Sequence, residues 1–121
     1  MDVKDYYDAK LKWAIVGDVL NEEKYAYRIL KHFKNKGQDA IGVTPYGKTA
    51  ETYNTLAEID YNIEGVNLCI SPKRGYNMLL EDNRHNIKCV IAQPGARSEE
   101  IKKLCRDRGI DYIETCTLAT L

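Results

Sequence analysis

The sequence predicts a three-layer α/β/α domain on a doubly wound, five-stranded parallel sheet of strand order 3-2-1-4-5. Three observations predict it. Short apolar runs recur along the chain at 13–16, 40–43, 66–70, 89–92 and 110–113. Stretches of helical periodicity separate several of them. The first four runs each end at a Gly or Pro turn. Strands this short, without polar alternation, bury both faces, and a parallel sheet covered by helices does that. Right-handed crossovers then wind the helices onto both sides.

The elements follow in order. Residues 2–11 predict an N-terminal helix covering part of the sheet. Trp13-Ala14-Ile15-Val16 is the first strand, closed by Gly17. Glu22 to Lys36 predicts a helix, because Tyr25, Ala26, Ile29, Leu30 and Phe33 fall at i, i+3, i+4, i+7 and i+8 spacing. Gly37 stops it. Ala40 to Val43 is the second strand, stopped by Thr44-Pro45. The stretch from Tyr46 to Glu64 is the least regular, with one helical turn near 53–59 expected to pack Leu56 and Ile59 on the sheet edge. Val66 to Ile70 is the third strand, ended by Ser71-Pro72. A helix over about 75–86 follows, then the fourth strand, Cys89 to Ala92, ended by Gln93-Pro94-Gly95. Ser98 caps a helix with Glu99 and Glu100 in its first turn, favourable to the dipole. Gly109 ends it, and Ile110 to Ile113 is the fifth strand. No repeat or linker divides the chain, so 1–121 is expected to be one domain.

Composition narrows the partners. Eighteen basic residues balance eighteen acidic ones, which leaves no surplus of cations for nucleic acid or an anionic membrane. The charged N-terminus leads into no apolar signal core, so a cytoplasmic location is expected. Cys69, Cys89, Cys105 and Cys116 form no CxxC pair, and no metal site is expected from them. They are expected as reduced thiols. His32 and His85 have no Cys or His at ligand spacing and are expected on solvated helix faces.

Ligands of open parallel sheets bind beyond the strand C-termini, where strand order reverses. The expected order puts that point between the runs 13–16 and 89–92. The loops at this edge are 17–21, 44–48, 71–74 and 93–96, and each holds Gly or Pro. Lys48, Lys73, Arg74 and Arg97 bring positive charge to the rim, which suits an anionic small molecule. The first loop has Gly17 alone, without the second and third glycines of G-x-G-x-x-G. No acidic residue ends the second strand to hold a ribose. Both absences disfavour a dinucleotide in the usual pose. Tyr46, between Pro45 and Gly47, is the candidate for stacking on a base.

Gly17-x-x-x-Asn21, Val43-Thr44-Pro45-Tyr46-Gly47-Lys48, Ile70-Ser71-Pro72 and Gln93-Pro94-Gly95, in this order and spacing, resemble the small CoA-binding domain proteins. These are Rossmann-like single domains related to the CoA-binding N-terminal domain of the succinyl-CoA synthetase alpha subunit. The resemblance runs from about Leu11 to Cys116. It implies that coenzyme A is the ligand, with Gly17, Asp18, Asn21 and Lys24 near its phosphates. It implies that Val43, Thr44, Pro45 and Lys48 border the nucleotide. Ser71, Pro72 and Lys73 would flank the adenine or pantetheine, and Gln93, Pro94 and Gly95 would face the pantetheine arm. The sequence departs from the family pattern at Asp18 and at Glu22-Glu23. It also lacks the domain that carries the phosphohistidine of the synthetase.

No catalytic set assembles from the sequence. Cys116 follows the last strand with acidic Asp111 and Glu114 nearby, which favours a structural thiol. The expectation is a small CoA- or acyl-CoA-binding protein without activity of its own. The alternatives are an NAD(P)(H)-binding redox enzyme or sensor, or an interaction subunit that has lost its ligand. A homodimer or a partner subunit stays open. Gly17→Val is expected to abolish binding while sparing the fold.

Overall fold

The computed structural model describes residues 2–121. Its sheet is parallel throughout and has six strands, β1 (Lys12–Gly17), β2 (Asp39–Val43), β3 (Thr52–Tyr53), β4 (Gly65–Cys69), β5 (Cys89–Ala92) and β6 (Asp111–Glu114). Their order is β3-β2-β1-β4-β5-β6. The doubly wound class is as expected, with one strand more than the five predicted. The added strand is β3, which pairs with Gly42 and Val43 at the outer edge. The Thr44 N–H then donates to the Tyr53 carbonyl at 2.8 Å. A half-buried Tyr53 suits an edge. Val66 and Leu68, fully buried, need the seat beside β1 that β4 occupies. The strand order therefore reverses between β1 and β4 (65–69), not between the runs 13–16 and 89–92.

Five helices cover the sheet: α1 (Val3–Asp8), α2 (Tyr25–Asn35), α3 (Pro72–Glu81), α4 (Glu99–Asp107) and α5 (Thr117–Thr120). A 3₁₀ turn at Leu56–Glu58 buries Leu56 and brings Ile59 into the core. Asp2 and Asp5 form a reciprocal capping box on α1. α2 begins three residues later than predicted. The Asn21 side chain accepts from Glu23 N–H at 3.0 Å, and the Asn21 carbonyl accepts from Lys24 N–H at 2.9 Å, so this stretch is a turn. α3 starts and stops earlier than predicted, because Pro72 at its first turn presets the backbone. Ser98 caps α4 through Ile101 N–H at 3.0 Å. Gly37 (φ 76°) and Gly109 (φ 71°) close α2 and α4 in left-handed conformations that suit glycine.

Alternation along the strands divides the apolar residues between two cores. Ala14, Val16, Val43, Leu56, Ile59, Val66, Leu68, Leu79, Val90 and Ile101 fill one. Tyr7, Trp13, Ile15, Ile29, Phe33, Cys89 and Ile91 fill the other. Trp13 packs under α1, 5.9 Å from Tyr7 and 5.1 Å from Phe33 between ring centroids. Its strand neighbour is Gly65, where a Cβ would lie 2.5 Å from the indole, so only glycine leaves the ring its place.

His85 corrects an expectation. Its side chain is fully buried, beyond the end of α3. Nδ1 meets Asp82 at 3.1 Å, and Nε2 lies 2.9 Å from the Ile59 carbonyl and 3.0 Å from the Tyr61 carbonyl. Two carbonyls require the hydrogen on Nε2. This pin ends α3 and fastens the 59–63 segment below the sheet. His32 is half-buried on α2 rather than solvated.

Candidate functional site

A cavity of about 470 Å³ opens beyond the C-terminal ends of β1 and β4, where the strand order reverses. Such a volume is in the range of small-molecule sites. Asp18 and Lys24 line it from the first loop, and Tyr25 and Ala26 from the start of α2. Cys69, Ile70 and Ser71 come from the end of β4, Tyr46 from the second loop, and Pro94, Gly95 and Ala96 from the loop after β5. Apolar groups form much of this wall.

Two helices begin at the cavity. Neither Lys24 before α2 nor Ser71 before α3 makes a side-chain capping bond, so the first-turn N–H groups of both helices lack that partner. α4, by contrast, is capped by Ser98. Uncapped helix N-termini carry partial positive charge and accept anionic oxygens. The Arg74 guanidinium stacks over the Tyr46 ring at 5.2 Å, and Tyr46 is 53% exposed at the mouth. This places a cation and a flat aromatic face together.

Asp18, Lys24, Tyr46, Ser71, Pro94 and Gly95, among the residues singled out from the sequence, meet on this wall. The others lie elsewhere. Gly17 sits beneath it, packed so closely that a Cβ would come within 2.4 Å of the Cys69 carbonyl. Asn21 is used in its own turn. Val43 belongs to the core, and buried Thr44 accepts from Tyr46 N–H at 3.1 Å, shaping the loop. Pro45 is half-buried. Lys48 pairs with Glu58 at 3.7 Å on the surface. Pro72 opens α3, and Lys73 borders a separate groove with Tyr76, Asn77, Ser98 and Glu100. Gln93 is fully buried.

The Gln93 side chain anchors a polar network behind the cavity. Its Nε2 donates to Asn67 Oδ1 at 2.9 Å and Thr117 Oγ1 at 2.7 Å, and its Oε1 accepts from Thr117 N–H at 3.1 Å. Asn67 Nδ2 also reaches Thr117 Oγ1, at 2.8 Å. All three residues are fully buried, so these bonds satisfy polar groups that water cannot reach. Tyr25 joins from the cavity side. Its hydroxyl lies 3.4 Å from Gln93 Oε1 and 2.7 Å from Cys116 Sγ.

That last contact gives Cys116 a partner that its neighbours in sequence do not suggest. The Tyr25 hydroxyl bond holds its thiol below the usual range, helped by the Leu118 and Ala119 N–H groups and by Arg97. Burial first, then the Cys116 bond, raises Tyr25 to about 12, so the phenol keeps its proton and remains the donor. The other thiols are pushed up chiefly by burial, Cys89 to about 12 and Cys105 to about 11, and Cys69 further.

A family model, the CoA binding domain, matches residues 11–121. The chain belongs to the CoA binding domain family. Solved structures carry the same fold. A conserved hypothetical protein from Pyrococcus furiosus is 29% identical with a TM-score of 0.80, covering 92% of this chain and 99% of that one. A hypothetical protein from Pyrococcus horikoshii OT3 is 23% identical with a TM-score of 0.87, covering 98% and 86%. A dinucleotide-forming acetyl-coenzyme A synthetase 1 from Candidatus Korarchaeum cryptofilum, in complex with phosphate and ADP, is 12% identical with a TM-score of 0.71. The match covers 92% of this chain and 26% of that one.

Within this CoA binding domain, sequence reasoning passed over Tyr25, Ala26, Cys69 and Ile70 as cavity residues, while Ala96 lies in the 93–96 loop expected at this edge. A signal existed for two of them. Tyr25 and Ala26 open the helix after the first strand, where a doubly wound sheet presents its first N–H groups. Cys69 and Ile70 fall in the predicted third strand, and nothing in their spacing separates wall from core.

Proposed function

We propose that this CoA binding domain binds coenzyme A or an acyl-CoA in the cavity beyond β1 and β4. The observation that carries the reading is the meeting of two uncapped helix N-termini, those of α2 and α3, with Lys24 on one partly apolar cavity. Phosphates fit the helix ends and the lysine, while a pantetheine arm fits the apolar wall of Ala26, Ile70 and Ala96. Arg74 and Tyr46 offer a stacking pair for the adenine. Gly17, through its close packing, sets the turn that brings Asp18 and Lys24 to the wall. Asn21, Val43, Thr44, Pro45 and Pro72 shape the loops around the ligand, and Gln93 holds the floor behind it. Lys48 and Lys73 act as outer cations. Asp18 is the one carboxylate among the lining residues, and on this reading the domain holds acyl groups as a binder rather than transforming them. Four free cysteines accord with a cytoplasmic setting. Among the described residues, no helix is long and apolar enough to cross a membrane.

Thermal shift with CoA, acetyl-CoA, NADH and NADPH tests the reading. Ligand at 100 times its dissociation constant adds about 2.7 kcal/mol, or about 10 °C for a chain of this size. A shift with the CoA species and none with the dinucleotides is expected. A shift with NADH or NADPH alone overturns the reading in favour of a redox protein. No shift with any of the four makes the domain an interaction subunit.

A further inference from the structure

Two arginines stand beside the cavity, each over a tyrosine of its wall. Arg28 lies one turn into α2 from Lys24, with its guanidinium 6.0 Å from the centre of the Tyr25 ring. Arg74 lies in the first turn of α3, with its guanidinium 5.2 Å from the centre of the Tyr46 ring. Tyr25 and Tyr46 both line the cavity, and both arginines are exposed. The two helices that open on the cavity therefore each carry one such pair.

Neither guanidinium is otherwise engaged. Among the described residues, the ion pairs of the surface involve Lys4, Lys12, Lys48 and Lys88, and leave Arg28 and Arg74 out. Arg84, Arg97 and Arg108 donate to backbone carbonyls, whereas Arg28 and Arg74 donate to no described group. A guanidinium stacked on a ring keeps its N–H donors in its own plane, open to a phosphate, while the ring narrows its swing. Such a fork takes two phosphate oxygens at once, which a lysine does not.

We propose that Arg74 and Arg28 are the two arms of an anion clamp that reads two separate phosphate groups of one ligand, Arg74 its 3′-phosphate and Arg28 its diphosphate. The proposal rests on the CoA reading for the identity of that ligand. With the pantetheine arm along the apolar wall, the phosphates and the adenosine lie toward the rim, where these two side chains stand. The adenine stacks at Tyr46, and the 3′-phosphate is carried by the ribose attached to it, so it is the phosphate next to Arg74. The diphosphate joins that ribose to the pantetheine arm and lies at the start of α2, with Lys24 and Arg28. Arg74 then sets specificity for a ligand phosphorylated on the ribose, and Arg28 adds affinity for any ligand that keeps the diphosphate.

The test is calorimetric titration of the full chain with CoA and with dephospho-CoA, which lacks only the 3′-phosphate. Titrations at about 0.15 M salt screen charge beyond about 8 Å, so distant cations contribute little. Wild type is expected to bind CoA about 10-fold more tightly than dephospho-CoA, the worth of one charge-assisted hydrogen-bonded contact. Arg74→Gln is expected to weaken CoA by about 10-fold and to leave dephospho-CoA within about 2-fold of wild type. Arg28→Gln is expected to weaken both ligands alike, by about 10-fold. Arg106→Gln, an exposed cation in the last turn of α4, is the charge control and is expected to change neither. Both test side chains are exposed, so the variants are expected to melt with wild type. Equal wild-type affinity for the two ligands overturns the clamp and leaves the CoA reading standing. So does an Arg74→Gln variant that weakens both ligands alike, or an Arg28→Gln variant that weakens neither. If neither ligand binds wild type, the CoA reading falls and the clamp with it.

Discussion

Gly17→Ala tests the turn beneath the cavity. A Cβ built on Gly17 lies 2.4 Å from the Cys69 carbonyl oxygen and 2.7 Å from the Ala26 Cβ. Carbon–oxygen contacts in folded proteins settle at about 3.3 Å or beyond. One side must therefore move by about 0.9 Å, and neither is a flexible side-chain end. Cys69 is held in β4 by its pairing with Gly17 itself, and Ala26 is buried in α2. Overpacking of this kind costs about 2–3 kcal/mol. For 121 residues the unfolding entropy gives about 4 °C per kcal/mol, so melting should fall by about 8–12 °C. Calorimetry of Gly17→Ala beside Gly47→Ala measures this. The Gly47 Cβ meets only Leu20, at 3.4 Å, and should cost less than about 0.5 kcal/mol. A Gly17→Ala protein melting within about 2 °C of wild type would refute the reasoning. Gly17→Val, bulkier still, is therefore not a binding probe that spares the fold.

Further outcomes are expected. Lys24→Ala should weaken CoA binding by about 10-fold in calorimetry, a charge-assisted hydrogen bond being lost, whereas Lys73→Ala, on the neighbouring groove, should change it less than about 2-fold. Thr117→Val removes the hydroxyl shared by Gln93 and Asn67 and leaves buried amide groups unpaired, so urea denaturation should show a loss of about 1–3 kcal/mol. Stability should fall with rising pH above about 9. The folded thiols of Cys69, Cys89 and Cys105 stay protonated there while the unfolded ones ionise, so the unfolded state binds fewer protons. Urea midpoints at pH 8, 9 and 10 check this, with a loss of about 3 kcal/mol expected between pH 9 and 10, about 1 kcal/mol for each thiol. A flat profile would show that the three thiols remain accessible to solvent.

The layers of this fold were legible because apolar runs of four or five residues and helical periodicity are local signals. Strand neighbours were not. Thr52–Tyr53 is too short to announce itself, yet it takes the outer edge and leaves the place beside β1 to β4. Pro94, Gly95 and Ser71 were legible as wall because loops after parallel strands must lie there. Gln93 was not, since its buried position depends on Asn67 and Thr117, 26 and 24 residues away. The partner of Cys116 was not legible for the same reason. Its neighbours in sequence are acidic, and its partner in space is Tyr25, 91 residues earlier.

The two ends of the chain are stitched to each other. Tyr6 bonds Asp111, and the Tyr7 hydroxyl reaches Thr117 and Thr120 at 3.3 and 3.1 Å. These contacts span 105, 110 and 113 residues. Closing so long a loop is entropically costly, and it must wait until the last helix exists. α1 has a partial seat on Trp13, Phe33 and Gln38, and its bonds to β6 and α5 form only once those elements are in place. The aromatic pair on α1 then ties this layer to the edge strand and to α5. Without α5 the Tyr7 hydroxyl would lose both of its partners while its ring stayed packed on Trp13 and Phe33, so the far side of the molecule sets how firmly α1 is held.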